Sequence, residues 1–152
     1  MKDLQVNIKA HSENATQTVV NARNFQMTID EPQHLGGTNE GANPVEYLLG
    51  ALSGCLNVVG HLVAREMGFT LRSMDINLQG SLNPGRFTGQ SYEERAGFRE
   101  IDVSIDADAD ANEETLQKWV ETIEDRCPVS DNLVKATPVN ISVQKAVNVM
   151  NN

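Results

Sequence analysis

Apolar positions along this chain follow two periods, and the switches between them mark the elements. Leu4, Val6 and Ile8 alternate with polar neighbours, which predicts a strand over residues 3–9. TQTVVNARNFQMTID, residues 16–30, predicts a second strand and a third in which Phe25, Met27 and Ile29 alternate, with the bend at 21–24. The Gly-, Pro- and Asn-rich stretch DEPQHLGGTNEGANP is a loop. The period then changes. In NPVEYLLGALSGCLNVVGHLVAREMG, apolar residues cover most of a helical circumference, so this helix should be buried on most sides. Pro44 suits the first helical position, Asn43 the N-cap and Gly68 a left-handed stop, placing the helix from Pro44 to about Met67.

Alternation returns at Met74, Ile76 and Leu78, and again at Ile101, Val103 and Ile105, around the polar loop NPGRFTGQSYEERAG. DADANEETLQKWVETIEDRC is an amphipathic helix whose stripe is Leu116, Trp119, Val120, Ile123 and Cys127. Asp110 or Asn112 can cap it, answered by Glu113 or Thr115, and Pro128 ends it. Val139, Ile141 and Val143 predict the last strand. The order β-β(-β)-α-β-β-α-β is α+β: one domain over residues 1–152, with two helices on or inside mainly antiparallel sheet. There is no internal repeat, low-complexity tract or long linker.

Composition narrows the function classes. The 12 Lys and Arg against 21 Asp and Glu leave a net charge of −9, which repels phosphate backbones and anionic lipid. Nucleic acid and membrane partners are therefore not expected. The start, MKDLQVNIKA, has no apolar signal core, and Glu46, Asn57, His61, Arg65 and Glu66 interrupt the long helix too often for a membrane span. A cytoplasmic protein is expected, in which thiols stay reduced unless they are catalytic. Aromatic residues are only 5% of the chain, a shortage of large side chains that points to a partner subunit completing the core.

Chemistry then concentrates on the two cysteines. Cys55 shares a helix face with Leu48, Leu52, Val59 and Leu62, where a small buried hydrophobe is its plainest role. The neighbouring face is unusual: Gly50, Ser53, Gly54, Asn57, Gly60, His61 and Ala64 are all small or polar. Mid-helix glycine costs about 1 kcal/mol relative to alanine, so three of them imply close approach of another backbone, most simply a second helix. Cys127 either completes the stripe of its helix or caps a short following helix, PVSDNLVKA, where unpaired N–H groups favour a thiolate and Arg126 could add to this. One thiol on a helix seam and one at a helix start suggest a redox pair, although sequence alone does not bring them together. No His or Cys pair is spaced for a metal on one helical turn, with His11 and His34 in loops, and no nucleophile elbow is present.

The strings DEP, LGGTNEGANPVEYLLGALSGCL, EDRCPVSDNL and TPV resemble the OsmC/Ohr family of osmotically inducible and organic hydroperoxide resistance proteins, over about residues 4 to 145. The resemblance implies an intertwined homodimer whose mainly antiparallel sheets wrap two long central helices. It implies that Cys55 attacks the O–O bond of a small apolar hydroperoxide, releasing an alcohol and leaving a sulfenic acid. Cys127 then resolves this to a disulfide, which an external dithiol or lipoyl-type reductant reopens without any bound cofactor. An arginine from the N-terminal strands keeps such a thiolate charged, and Arg23 is the one arginine there. The family's supporting glutamate directly follows the proline of NP. That place is Val45 here, and the acid is Glu46, on the opposite side of a regular helix from Cys55 and about 13 Å along it. The alternative is a catalytically weak relative that binds or senses a small apolar ligand or oxidant at the dimer interface.

Overall fold

A computed structural model describes residues 1–145. The first sheet has three antiparallel strands in sequence order: β1 (Lys9–Ser12), β2 (Thr18–Ala22) and β3 (Phe25–Ile29). Pairing of Ala22 with Phe25 leaves Arg23 and Asn24 as a two-residue hairpin turn, and Arg23 adopts a left-handed φ of 57°. Such turns need positive φ to match strand twist, a conformation that costs a residue with a Cβ about 1–2 kcal/mol. The second sheet pairs β4 (Leu71–Ser81) with β5 (Glu100–Ala109), also antiparallel, with a register shift between Leu71 and Ser73.

Among the described residues there are three α-helices, α1 (Pro44–Met67), α2 (Glu113–Arg126) and α3 (Pro128–Val134), and a short 3-10 helix at Gln33–Leu35 that holds His34, expected in a loop. The bounds of α1 follow from its ends. Asn43 accepts the Glu46 N–H, the Glu46 carboxylate accepts the Asn43 N–H, and Gly68 closes the helix at φ 80°. Asn112, not Asp110, caps α2 through the Thr115 N–H; Asp110 instead accepts the Thr70 N–H at the entry to β4.

The core lies where one face of α1 (Leu52, Leu56, Val59, Val63, Ala64) meets Trp119 and Ile123 of α2. Met74, Ile76 and Leu78 of β4 and Ile101 and Ile105 of β5 pack against it from the sheet. Full burial of each such aliphatic side chain stabilises by roughly 1.5–3 kcal/mol, so this face holds the helix in place. Gly60 lets α2 pack its indole directly on the α1 backbone. A Cβ there would lie 3.2 Å from both the Trp119 ring and the Met74 methyl, and the Trp119 indole N–H donates to the Gly60 carbonyl at 2.8 Å. The seam expected from the three glycines is thus divided. Gly60 and Ala64 face α2 of the same chain, while Gly50 and Gly54 are exposed and a Cβ on either meets nothing within 4 Å.

The long loop before α1 is built around one carboxylate. Asp30, fully buried, accepts hydrogen bonds from the Thr38 hydroxyl at 2.5 Å and from the backbone N–H groups of Glu31, Thr38 and Glu40. The chain folds back so tightly that a Cβ on Gly37 would lie 1.8 Å from the Glu31 carbonyl oxygen, and one on Gly41 2.2 Å from that of Thr28. Tyr47 ties the start of α1 to β3 by donating its hydroxyl to the Thr28 carbonyl at 2.9 Å. The Thr38 hydroxyl, followed by the backbone N–H groups, holds the Asp30 carboxyl well below its ordinary value of 3.8. A depressed carboxyl stabilises the fold above its unfolded value and loses that stabilisation as pH falls through and below it. Asp30→Asn protein should therefore melt below the parent at pH 7, and the gap in Tm should shrink as pH falls below about 4. A constant gap from pH 7 to pH 3 would show that the carboxylate charge is not what anchors the loop.

Several expectations need correction. Leu4, Val6 and Ile8 form no strand: β1 begins where that prediction ended, and Leu4 is 87% exposed. Nor do Val139, Ile141 and Val143, with Ile141 91% exposed, although that alternation is as clear as in β4. Alternation makes a segment fit for a sheet, but the ladder needs a neighbouring strand, and neither segment has one among the described residues. For the same kind of reason α1 is buried on one face rather than most sides, leaving Val58 67% exposed. His11, expected in a loop, lies in β1. By length and mean hydropathy (1.5 over its most apolar window) α1 does meet the composition of a membrane span, despite its polar residues, while its buried face packs on α2 and β4.

Candidate active site

Cys127 sits at the joint of two helices. Trp119, Ile123 and Cys127 recur every four residues, so the stripe that buries α2 carries the cysteine into the core, where it has 0% exposure. Pro128 forces Cys127 into extended geometry and opens α3, making the same residue the C-cap of α2 and the N-cap of α3. Its sulfur accepts the Ser130 N–H at 3.4 Å. The two roles weighed for Cys127 from sequence are both filled.

The distant thiols meet. Cys127 Sγ lies 2.9 Å from Cys55 Sγ on the middle of α1, with both cysteines free. Disulfide geometry needs about 2.05 Å, so closing the bond takes a shift of under about 1 Å. The sulfurs differ in access, since Cys55 is only half-buried and Cys127 is sealed. Burial pushes the Cys55 thiol above its ordinary value, the Cys127 sulfur adds to this, and a hydrogen bond from the Val129 N–H opposes it. The upward shift leaves less thiolate at neutral pH than an ordinary cysteine has. Such a thiol is a slow nucleophile until a cation reaches it.

No cation does so within the described residues. The Arg23 guanidinium lies over the Phe25 ring, 5.1 Å from its centroid, and forms no ion pair there. Glu46 is engaged in the capping box of α1, not with Arg23. Arg126, weighed as support for Cys127, instead makes a forked ion pair with Glu66 near the end of α1, one arm at 3.1 Å. That pair and the indole–carbonyl bond of Trp119 went unseen in the sequence, whereas the free N–H groups at the start of α3 were expected from Pro128, and the Ser130 N–H is the one that meets the Cys127 sulfur.

Beside the thiols lies an apolar cleft of about 750 Å³. Leu48, Leu52 and Leu56 of α1 form one wall, Ile101 and Ile105 of β5 another, and Leu133 of α3 closes one side. Leu52 and Leu56 bracket Cys55 on the helix, and Ser130, whose N–H reaches the Cys127 sulfur, also borders the cleft. Arg95, Arg99, Glu100 and Glu124 add charged groups to the lining, and a mainly apolar cleft formed by the neighbours of the two thiols suits an apolar oxidant.

Comparisons with known proteins point the same way. Residues 37–142 match the family described as OsmC-like protein. The chain is similar to a protein named hydroperoxide reductase from Mycoplasma pneumoniae, 25% identical over 133 residues that cover 87% of this chain and 88% of that one. It is similar to another of that name from Mycoplasma genitalium, 28% identical over 123 residues covering 79% and 82%. Among solved structures, an OsmC-like protein from Mycoplasma pneumoniae matches with a TM-score of 0.77 at 23% identity, covering 89% of this chain and 91% of that one, a likeness of fold.

Proposed function

We propose that this chain, which belongs to the OsmC-like protein family, reduces organic hydroperoxides to alcohols with a dithiol as electron donor. The observation that carries the reading is the pair of sulfurs 2.9 Å apart, one open towards solvent and one sealed, beside an apolar cleft. Cys55 as thiolate attacks the terminal oxygen of ROOH. The O–O bond breaks, ROH leaves with a proton, and Cys55 becomes a sulfenic acid. Cys127 displaces that hydroxyl as water and closes the disulfide, and the dithiol returns both thiols while it is oxidised to its own disulfide. The names of the two Mycoplasma relatives support the peroxide as substrate class.

The missing cation comes, on this reading, from a second copy of the chain. Support lies in what the described residues of one chain leave uncovered: Val58 on α1, the open positions at Gly50 and Gly54, and the alternating segments at 4–8 and 139–143, which pair with no strand there. An intertwined homodimer covers these, and an obligate interface of this kind buries on the order of 2,000 Å² or more. It also gives Arg23 a route to the partner's Cys55. Arg23 keeps a left-handed conformation that glycine or asparagine would adopt at lower cost, and retained strain of this kind marks functional positions. Sedimentation at micromolar concentration tests the assembly, and a compact monomer would remove both it and this source of charge. The protein is proposed to work in the cytoplasm, without metal, membrane or nucleic acid.

Turnover tests the activity. With a dithiol, the protein should consume cumene hydroperoxide above the rate of the thiol alone, and Arg23→Ala should slow oxidation of Cys55 by ~10²-fold, equivalent to ~2.7 kcal/mol at the transition state. A second reading has its own observation: Glu46 is occupied as a cap and Arg23 has no acidic partner among the described residues. A catalytically weak protein that binds or senses a small apolar ligand or oxidant in the cleft fits that arrangement. It is favoured if no hydroperoxide is consumed.

A further inference from the structure

Reopening the disulfide offers an incoming thiolate two sulfurs, and the fold makes them unequal. We propose that the reductant attacks Cys55 Sγ alone, so that Cys127 is the leaving group in every cycle and the mixed disulfide forms on α1. The inference rests on the redox pair proposed above.

Displacement at sulfur requires the attacking, attacked and leaving sulfurs to lie near one line. For attack on Cys55 the approach is from the side away from Cys127, and Cys55 is the partly open member of the pair. For attack on Cys127 the approach leads through the protein, because Cys127 has no exposed surface and continues the buried stripe of Trp119 and Ile123. Cys127 is held from both sides, by the closing bond of α2 from its own N–H to the Ile123 carbonyl at 2.9 Å and by Pro128 at the start of α3. Turning its sulfur outward would break that joint. The Ser130 N–H already points at the Cys127 sulfur and can take up the charge that develops as the bond breaks.

The electrons balance in two exchanges. The first thiolate of the dithiol bonds to Cys55 Sγ, the Cys55–Cys127 bond breaks, and its electron pair leaves on Cys127, which is then protonated. The second thiolate attacks the donor's own sulfur in the mixed disulfide and expels Cys55 as thiolate. The donor departs as a cyclic disulfide, two electrons poorer, and the chain carries two thiols. Because the exposed sulfur serves both half-reactions, peroxide and reductant must use the same opening in turn.

The wild-type protein tests this without turnover. Diamide closes the disulfide, the monothiol 2-mercaptoethanesulfonate opens it, and excess N-ethylmaleimide quenches at short intervals before peptide mass mapping. At the earliest times, chains with the probe on Cys55 and maleimide on Cys127 should outnumber the reverse by at least about tenfold, since exchange depends on which sulfur is reached. A smaller ratio, or an inverted one, overturns the inference even if hydroperoxide turnover is normal. Failure of diamide to close any disulfide would overturn the pairing itself, and the inference with it.

Discussion

Cys55→Ser protein should consume no hydroperoxide above the background of the added thiol, whereas Cys127→Ser protein should form one sulfenic acid per chain. The asymmetry follows from access. Cys55 is half-buried on α1 between Leu52 and Leu56, which line the cleft, while no surface of Cys127 meets solvent. A serine hydroxyl is un-ionised at neutral pH and does not attack peroxide oxygen, so the first substitution removes the only reachable nucleophile. The second spares that nucleophile and removes the group that would close the disulfide. Trapping with dimedone followed by mass mapping separates the outcomes. Sulfenic acid on Cys127 in Cys55→Ser protein would reverse the two roles.

Trp119→Ala should cost about 3–5 kcal/mol of folding stability, the range for losing a fully buried aromatic side chain. Against a total of about 5–15 kcal/mol for a typical domain, that is a large fraction. Trp119 is 1% exposed, packs directly on Gly60 of α1, and stacks edge-on against Phe69 with ring centroids 6.0 Å apart. Its loss opens a void in the contact that presents Cys127 to Cys55. Urea unfolding should report the loss as a lowered midpoint, and closure of the disulfide by diamide should slow in the folded variant. Trp119→Phe keeps most of the ring and removes the hydrogen bond to the Gly60 carbonyl, for which about 1 kcal/mol is expected. Equal losses in the two variants would place the stability in the hydrogen bond rather than the packing.

Much of this architecture was legible because local rules decided it. Asn43, Pro44 and Gly68 fixed the bounds of α1, and the spacing from Leu116 to Cys127 oriented α2. The adjacency of the thiols was not local, for it depends on how α1 and α2 pack, and only the family resemblance anticipated it. Glycine at three helix positions read as one seam, yet Gly60 answers to an indole of its own chain while Gly50 and Gly54 face open space. Asp30 looked like one acid among 21 until the fold put four hydrogen-bond donors around it. The terminal alternations were legible as strand-forming and still formed none, since pattern specifies a face and not a neighbour.

Trp119 is the only tryptophan in the chain, which gives its position a practical meaning. All indole emission from this protein arises from one buried ring, about 12 Å along α2 from Cys127. Changes in emission intensity can therefore be followed by stopped flow without a dye or an engineered label. A disulfide forming at the end of that helix would register as a change in quenching, so oxidation and reopening could be timed on the native polypeptide, one optical trace for each half of the cycle.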